Sequence, residues 1–154
     1  MTANLEAPPH GSCACGICAF ESRKLPTARF ICHCTFCQAF TGKPFSDVTV
    51  LRARHVVLKN ANRIEFRKYR RLPPNLNRGR CENCGKQVVE TAGFGPFKLL
   101  FIPSDTFASP HLLPPVHMHV FYTRRLQDVH DDLPEHSGYW PSQMAIGSLL
   151  LSKL

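Results

Sequence analysis

Seven of the eight cysteines stand in three short clusters. Cys13 and Cys15 flank a single residue, Cys32, Cys34 and Cys37 share one short stretch, and Cys81 and Cys84 open a Cys-x-x-Cys-Gly. Thiolates two or three positions apart reach one zinc ion at the ~2.3 Å Zn–S distance when a tight turn aims both sulfurs inward. A chain carrying three such turns folds so as to bring them together, which excludes most architectures. Seven sulfurs do not fill two closed four-coordinate sites. They divide into four plus three, and three protein ligands with a fourth position left to exchange is the arrangement of a reactive zinc rather than a structural one.

The Cys81/Cys84 knuckle needs a second pair to complete a tetrahedron. Two are available upstream: Cys13/Cys15, or two sulfurs of the Cys32/Cys34/Cys37 cluster. The first choice leaves a three-thiolate cluster intact and is preferred; the second strands three cysteines elsewhere. Cys18 forms a further Cys-x-x-Cys with Cys15, but it shares a strand face with Phe20, where cysteine acts as a small hydrophobe.

At 154 residues the chain reads as one domain. We expect residues 1–10 to be a flexible lead-in, residues 11–140 a single zinc-binding domain, and residues 141–154 a C-terminal extension able to form a short helix. Thirteen prolines against nine glycines favour short strands and turns over long helices. Met1 to Ser12 holds no apolar run and contains Pro8-Pro9, which argues against a signal peptide or anchor. The longest apolar stretch, Met144 to Leu151, is too short to span a bilayer. The expectation is a soluble cytoplasmic protein, where a reducing environment makes clustered cysteines metal ligands rather than disulfides.

The formal net charge is +8. With seven thiolates and two Zn²⁺ counted, it falls to about +5. A basic surface suits an anionic small substrate, an acidic partner or nucleic acid, and charge alone does not choose among them.

Strands are expected at Ile17 to Arg23, Arg29 to Ile31, Phe45 to Leu51, His55 to Leu58, Ile64 to Tyr69, on both sides of the Cys81 knuckle from Gly79 to Thr91, at Leu99 to Ile102 and at Met118 to Tyr122. A helical turn over Gln38 to Thr41 stops at Gly42. Gly85 supplies the positive φ that a knuckle requires. His33 lies between two ligand candidates, so its ring points away from a metal held by both and is placed to act as a donor or proton carrier behind them. His117 and His119 alternate on a strand and read as ordinary partly buried histidines. Arg67-Lys68-Tyr69-Arg70-Arg71 is the densest basic run; it reads as a solvated strand edge, with phosphate or carboxylate contact as its functional alternative.

Gly11 to Gly16 with Cys13 and Cys15, Cys32-His33-Cys34-Thr35-Phe36-Cys37 followed by Thr41-Gly42 and Phe45, and Cys81-Glu82-Asn83-Cys84-Gly85 together resemble the glutathione-dependent formaldehyde-activating enzyme family, which includes centromere protein V. The resemblance runs from about residue 10 to about residue 135. It implies a mainly β fold, a β-tent of small antiparallel sheets stapled by zinc with little helix. It also implies Cys13, Cys15, Cys81 and Cys84 as a structural zinc site, and Cys32, Cys34 and Cys37 as the catalytic one. Members are described as lyases that join glutathione to formaldehyde. Arg80, where the family usually has an aromatic residue, and Gln127, where tryptophan is common, mark a divergent member.

Three thiolates over-neutralise Zn²⁺, so such a site is a poor generator of hydroxide and a good holder of a soft fourth ligand. The expected function is that of a carbon–sulfur lyase acting on a glutathione adduct of formaldehyde or another small carbonyl compound. Two zinc ions serve as cofactors, glutathione is the co-substrate, and cations such as Lys43 or the Arg67–Arg71 run hold its carboxylates. The competing reading is a zinc-stapled binding module that carries thiol adducts or contacts nucleic acid or protein without turnover. An incomplete third cluster favours the enzyme, because a structural module needs only closed sites.

Overall fold

The computed structural model describes residues 7–68 and 76–154. Among them the chain is mainly β, with ten strands and two α-helices. The strands are β1 (His10–Ser12), β2 (Ala19–Ser22), β3 (Ala28–Cys32), β4 (Ser46–Arg52), β5 (Val56–Lys59), β6 (Ile64–Lys68), β7 (Asn77–Cys81), β8 (Gln87–Ala92), β9 (Leu99–Pro103) and β10 (His119–Val120). Helix α1 spans Thr35–Thr41 and α2 spans Tyr139–Lys153.

The strands form two sheets, one ordered β1-β2-β5 and a larger one ordered β10-β3-β4-β9-β8-β7-β6. Neighbours run antiparallel except β10 and β3, which are parallel with Val120 opposite Cys32. Two-residue periodicity on the central strands separates two cores. On β9, Leu100 and Ile102 enter the first core while Phe101 enters the second. On β4, Leu51 joins the first, and Val48 and Val50 join the second. Strands buried on both faces lose the polar alternation of an exposed sheet, which is why β9 reads as an apolar run, whereas β4 keeps a buried Thr49 hydrogen-bonded to Ser104 at 2.7 Å.

The first core gathers Phe20, Ile64, Val89 and Phe107 around Cys13, Cys18 and Cys81. The second gathers Phe30, Phe101, Met118, Val120 and Leu149 around Cys32 and Cys37. Each cysteine group is therefore rooted in its own core. At roughly 1.5–3 kcal/mol for each large apolar side chain fully buried, this packing helps to seat the ligand-bearing turns.

The expected strands lie close to the observed ones, and the departures sit where side chains intervene. Helix α1 starts three residues before the expected turn, because Cys34 caps it: its Sγ accepts from the Cys37 amide at 3.3 Å. Gly42 ends it in the left-handed region at φ 68°. The strand expected through Tyr122 stops at Val120, since Phe121 turns into the left-handed region at φ 53°. Helix α2 begins ahead of the expected extension and buries Leu149 in the second core, with Ala145, Ile146 and Leu150 partly buried against it. Its C-terminal end is tied down by Arg52, which donates to the Leu154 carbonyl at 2.6 Å, and by Thr27, which donates to that of Lys153 at 2.7 Å. The outer surface of α2 leaves Trp140, Met144 and Leu151 exposed.

Candidate metal centres

Two turns of similar build supply the first group. After β1 the chain folds back so that the Cys13 amide donates to the Cys18 carbonyl at 2.8 Å, and Gly16 takes φ 80°. After β7 the Cys81 amide donates to the Lys86 carbonyl at 2.9 Å, and Gly85 takes φ 70°. Both turns leave backbone N–H groups beside the sulfurs: the Cys18 amide donates to Cys13 Sγ at 3.4 Å. The sulfurs of Cys13, Cys15, Cys81 and Cys84 all lie within 4.8 Å of one another.

Cys13 and Cys15 Sγ are 3.5 Å apart, and Cys15 and Cys81 Sγ 3.7 Å. The edge of a tetrahedron built on ~2.3 Å Zn–S bonds is about 3.8 Å. These separations are far beyond the ~2.05 Å of a disulfide, and all the cysteines are free thiols. The donor set and its spacing fit a tetrahedral thiolate metal such as zinc. Amide donation from the Cys84 backbone lowers the Cys81 pKa to about 6, which favours the ligating form.

The second group comes from one segment. Cys32 ends β3, Cys34 caps α1, and Cys37 lies one turn into α1, so their three sulfurs fall within 4.8 Å of one another. Cys32 and Cys37 are buried and Cys34 is partly open. No fourth cysteine, histidine, aspartate or glutamate joins this group among the described residues. Hydrogen bonds from Cys32 and then Cys37 lower the Cys34 pKa to about 3, while the same contacts and burial hold Cys32 and Cys37 well above the ordinary thiol range. A metal held by all three sulfurs must displace their thiol protons.

The family comparison bears directly on these two groups. The family described as glutathione-dependent formaldehyde-activating enzyme matches residues 8–124, a span that contains all seven clustered cysteines. The chain belongs to that family. A crystal structure of a Rhodobacter sphaeroides protein resembles this chain at TM-score 0.53 and 18% identity, covering 70% of this chain and 96% of that one. At that identity the likeness concerns the fold alone. Among curated proteins, none matches the chain.

Behind the trio of this family member lies a file of polar side chains that sequence patterning did not reveal. His33 Nε2 is 2.9 Å from His119 Nδ1, and His119 Nε2 is 2.8 Å from Asp131 Oδ2. His33 and His119 are 1% and 0% exposed, so His119 is wholly rather than partly buried. Burial lowers the His33 pKa to about 4 and keeps its ring neutral. His117 goes elsewhere, to the backbone of Arg29 at 3.0 Å. Cys18 stands outside both sulfur groups, fully buried, with its thiol directed at the Arg63 and Asn60 carbonyls and its pKa pushed up to about 12 by burial.

Two arginines of β7 have contacts that the sequence reading did not assign. Arg78 is 4% exposed and its Nε lies 3.4 Å from Oε2 of Glu90, itself 5% exposed. Arg78 also lies against the trio, with Cys37 and Cys34 among the groups that raise its pKa. Arg80, one of the family departures, spans the two metal groups: it donates to the Gly85 carbonyl of the knuckle and to the Ala39 carbonyl of α1, both at 3.2 Å, with its guanidinium 4.9 Å from the Phe40 ring centre. The stacking occupies the place of an aromatic residue with a cation and adds two hydrogen bonds. Of the cations proposed for glutathione, Lys43 is exposed and ion-paired with Asp105, and Arg67 pairs with Glu65 at 2.9 Å. Tyr69, Arg70 and Arg71 lie outside the described residues.

Proposed function

We propose that this family member is a carbon–sulfur lyase-type enzyme that joins a thiol, glutathione by family expectation, to formaldehyde or another small carbonyl compound. The observation that carries the reading is a trio of sulfurs that stops at three, in a chain whose other four clustered cysteines already make a complete set. Cys13, Cys15, Cys81 and Cys84 would hold one zinc ion and Cys32, Cys34 and Cys37 a second. A zinc ion at the trio would supply a position for a soft anionic ligand and lower the pKa of a thiol bound there.

The chain's own residues set the terms of that chemistry. Burial of Cys32 and Cys37 excludes water from two sides of the trio, and the partly open Cys34 marks the side from which a ligand enters. His33, held by His119, fixes the backbone between Cys32 and Cys34; Gln38 adds a second tie by donating to the His33 carbonyl at 2.8 Å. The substrate thiol gives up its proton and its sulfur bonds to the carbonyl carbon as the C=O π pair moves to oxygen; that oxygen takes up one proton in turn, so thiol plus formaldehyde gives the hydroxymethyl thioether with no group left over. The reverse reaction releases the carbonyl compound. A reducing compartment such as the cytoplasm suits both the free thiols and the co-substrate, and no helix among the described residues is long and apolar enough to cross a membrane.

Formaldehyde consumption with added glutathione should be faster with native protein than with Cys34→Ser. The zinc absorption edge should shift from three sulfurs with a light atom to four sulfurs on glutathione addition. Equal rates would remove the enzyme reading. A spectral change without turnover would make the protein a carrier of thiol adducts.

A further inference from the structure

The trio carries a charge problem that its own segment does not solve. Three thiolates around a divalent cation leave one net negative charge, and a thiolate arriving as fourth ligand raises it to two. Concentrating that charge at a site whose Cys32 and Cys37 are 5% exposed is costly unless a cation faces it. Segment 32–37 supplies none: its residues are Cys32, His33, Cys34, Thr35, Phe36 and Cys37, and the His33 ring turns to His119 at 2.9 Å.

We propose that Arg78 is the fixed cation of the three-cysteine site, held there by Glu90 to admit an anionic sulfur as fourth ligand in preference to a neutral one. This rests on the reading of the trio as a thiol-binding centre. Arg78 comes from β7, the strand that also delivers Cys81 to the other sulfur group. The strand register sets Arg78 opposite Glu90 of β8, and the two side chains form a buried ion pair at 3.4 Å. The Phe36 ring, 51% exposed and borne on α1 between Cys34 and Cys37, lies 5.7 Å from the guanidinium carbon. Arg78 is thereby confined between the β7–β8 pair and the ligand-bearing turn.

Electrostatics agree with the placement. Glu90, Cys37 and Cys34 all bear on the buried Arg78 charge. An arginine suits the task because it stays charged when buried, where a lysine readily loses its proton. Arg78 touches no reacting atom in this scheme and is a positioning residue.

The test uses full-length protein loaded with cobalt, whose visible absorption reports ligand exchange, and three probes: 2-mercaptoethanol, thiocyanate and neutral imidazole. Arg78→Gln should weaken the thiol and thiocyanate at least about tenfold, the scale for removing one partner of a buried charge pair, and leave imidazole within about twofold. Arg78→Lys should restore only part of the anion affinity, because a buried lysine readily loses its proton. Should Arg78→Gln fail to fold, Arg78→Met with Glu90→Leu replaces the pair by apolar groups of similar size, a change that buried ion pairs commonly tolerate, and should show the same selective loss. Anion and imidazole affinities that fall together, or anion affinity that does not change, overturn the assignment of Arg78 alone. Native protein that binds one cobalt only, or takes none of the three probes, overturns the reading of the trio and this assignment with it.

Discussion

Sγ of Cys15 lies 3.7 Å from Sγ of Cys81, a residue 66 positions further along the chain. A metal shared by these sulfurs ties the three-stranded sheet to the seven-stranded one, since Cys15 follows β1 and Cys81 ends β7. Structural zinc sites contribute about 10–16 kcal/mol of apparent binding free energy at neutral pH, as large as the ~5–15 kcal/mol net stability of a typical domain. Cys81→Ser should therefore leave the protein largely unfolded or insoluble, read by circular dichroism and metal content. A folded variant retaining two metals would remove Cys81 from the ligand set.

Cys18 offers the matching control. It neighbours Cys13 and Cys81 in the first core yet directs its thiol to backbone carbonyls. Cys18→Val keeps volume and apolar character, so it should cost less than about 1.5 kcal/mol and leave the metal count unchanged by native mass spectrometry. Loss of one metal equivalent would make Cys18 a ligand.

The two centres should also part company under chelation. The trio closes no chain loop beyond one short segment, whereas the quartet joins turns far apart in sequence. A competing chelator should strip the trio at least about tenfold faster than the quartet, with thiol binding lost and far-UV dichroism retained. Simultaneous release of both metals with unfolding would contradict this order.

His33 gives a pH signature. Its folded pKa of about 4 lies below the unfolded 6.5 because burial disfavours the charged ring. The unfolded chain therefore takes up this proton first as pH falls. The neutral ring's contribution to stability is complete above about 6.5 and is lost progressively from there down to about 4. Ring nitrogen shifts of His33 in the folded protein should still report a neutral imidazole at pH 5.5. A midpoint near 6.5 would mean that the His33–His119–Asp131 file does not exclude water.

What the sequence disclosed and what it hid follow from the range of the interactions. The cysteine turns are local: Gly85 and the sulfur spacings within each cluster are set by residues a few positions apart, so they can be read without the fold. The pair formed by Arg78 and Glu90 depends on the register of β7 against β8, which includes a bulge at Gly79/Arg80. His33 meets His119 across 86 positions because β10 runs parallel to β3, and no periodicity within either strand announces that pairing. Alternation placed His117 and His119 on one face, yet the strand holds only two residues, and the two rings go to different partners.

Helix α2 lies wholly beyond residue 124, where the family match ends, yet it lodges Leu149 in the core that holds Cys32 and Cys37. The stretch that the family match spans and the stretch that packs as one core therefore have different borders in this molecule. A shortened chain that keeps every cysteine would still lose part of the wall on which three of them sit, and a change of size at Leu149 would be felt in the core that seats Cys32 and Cys37.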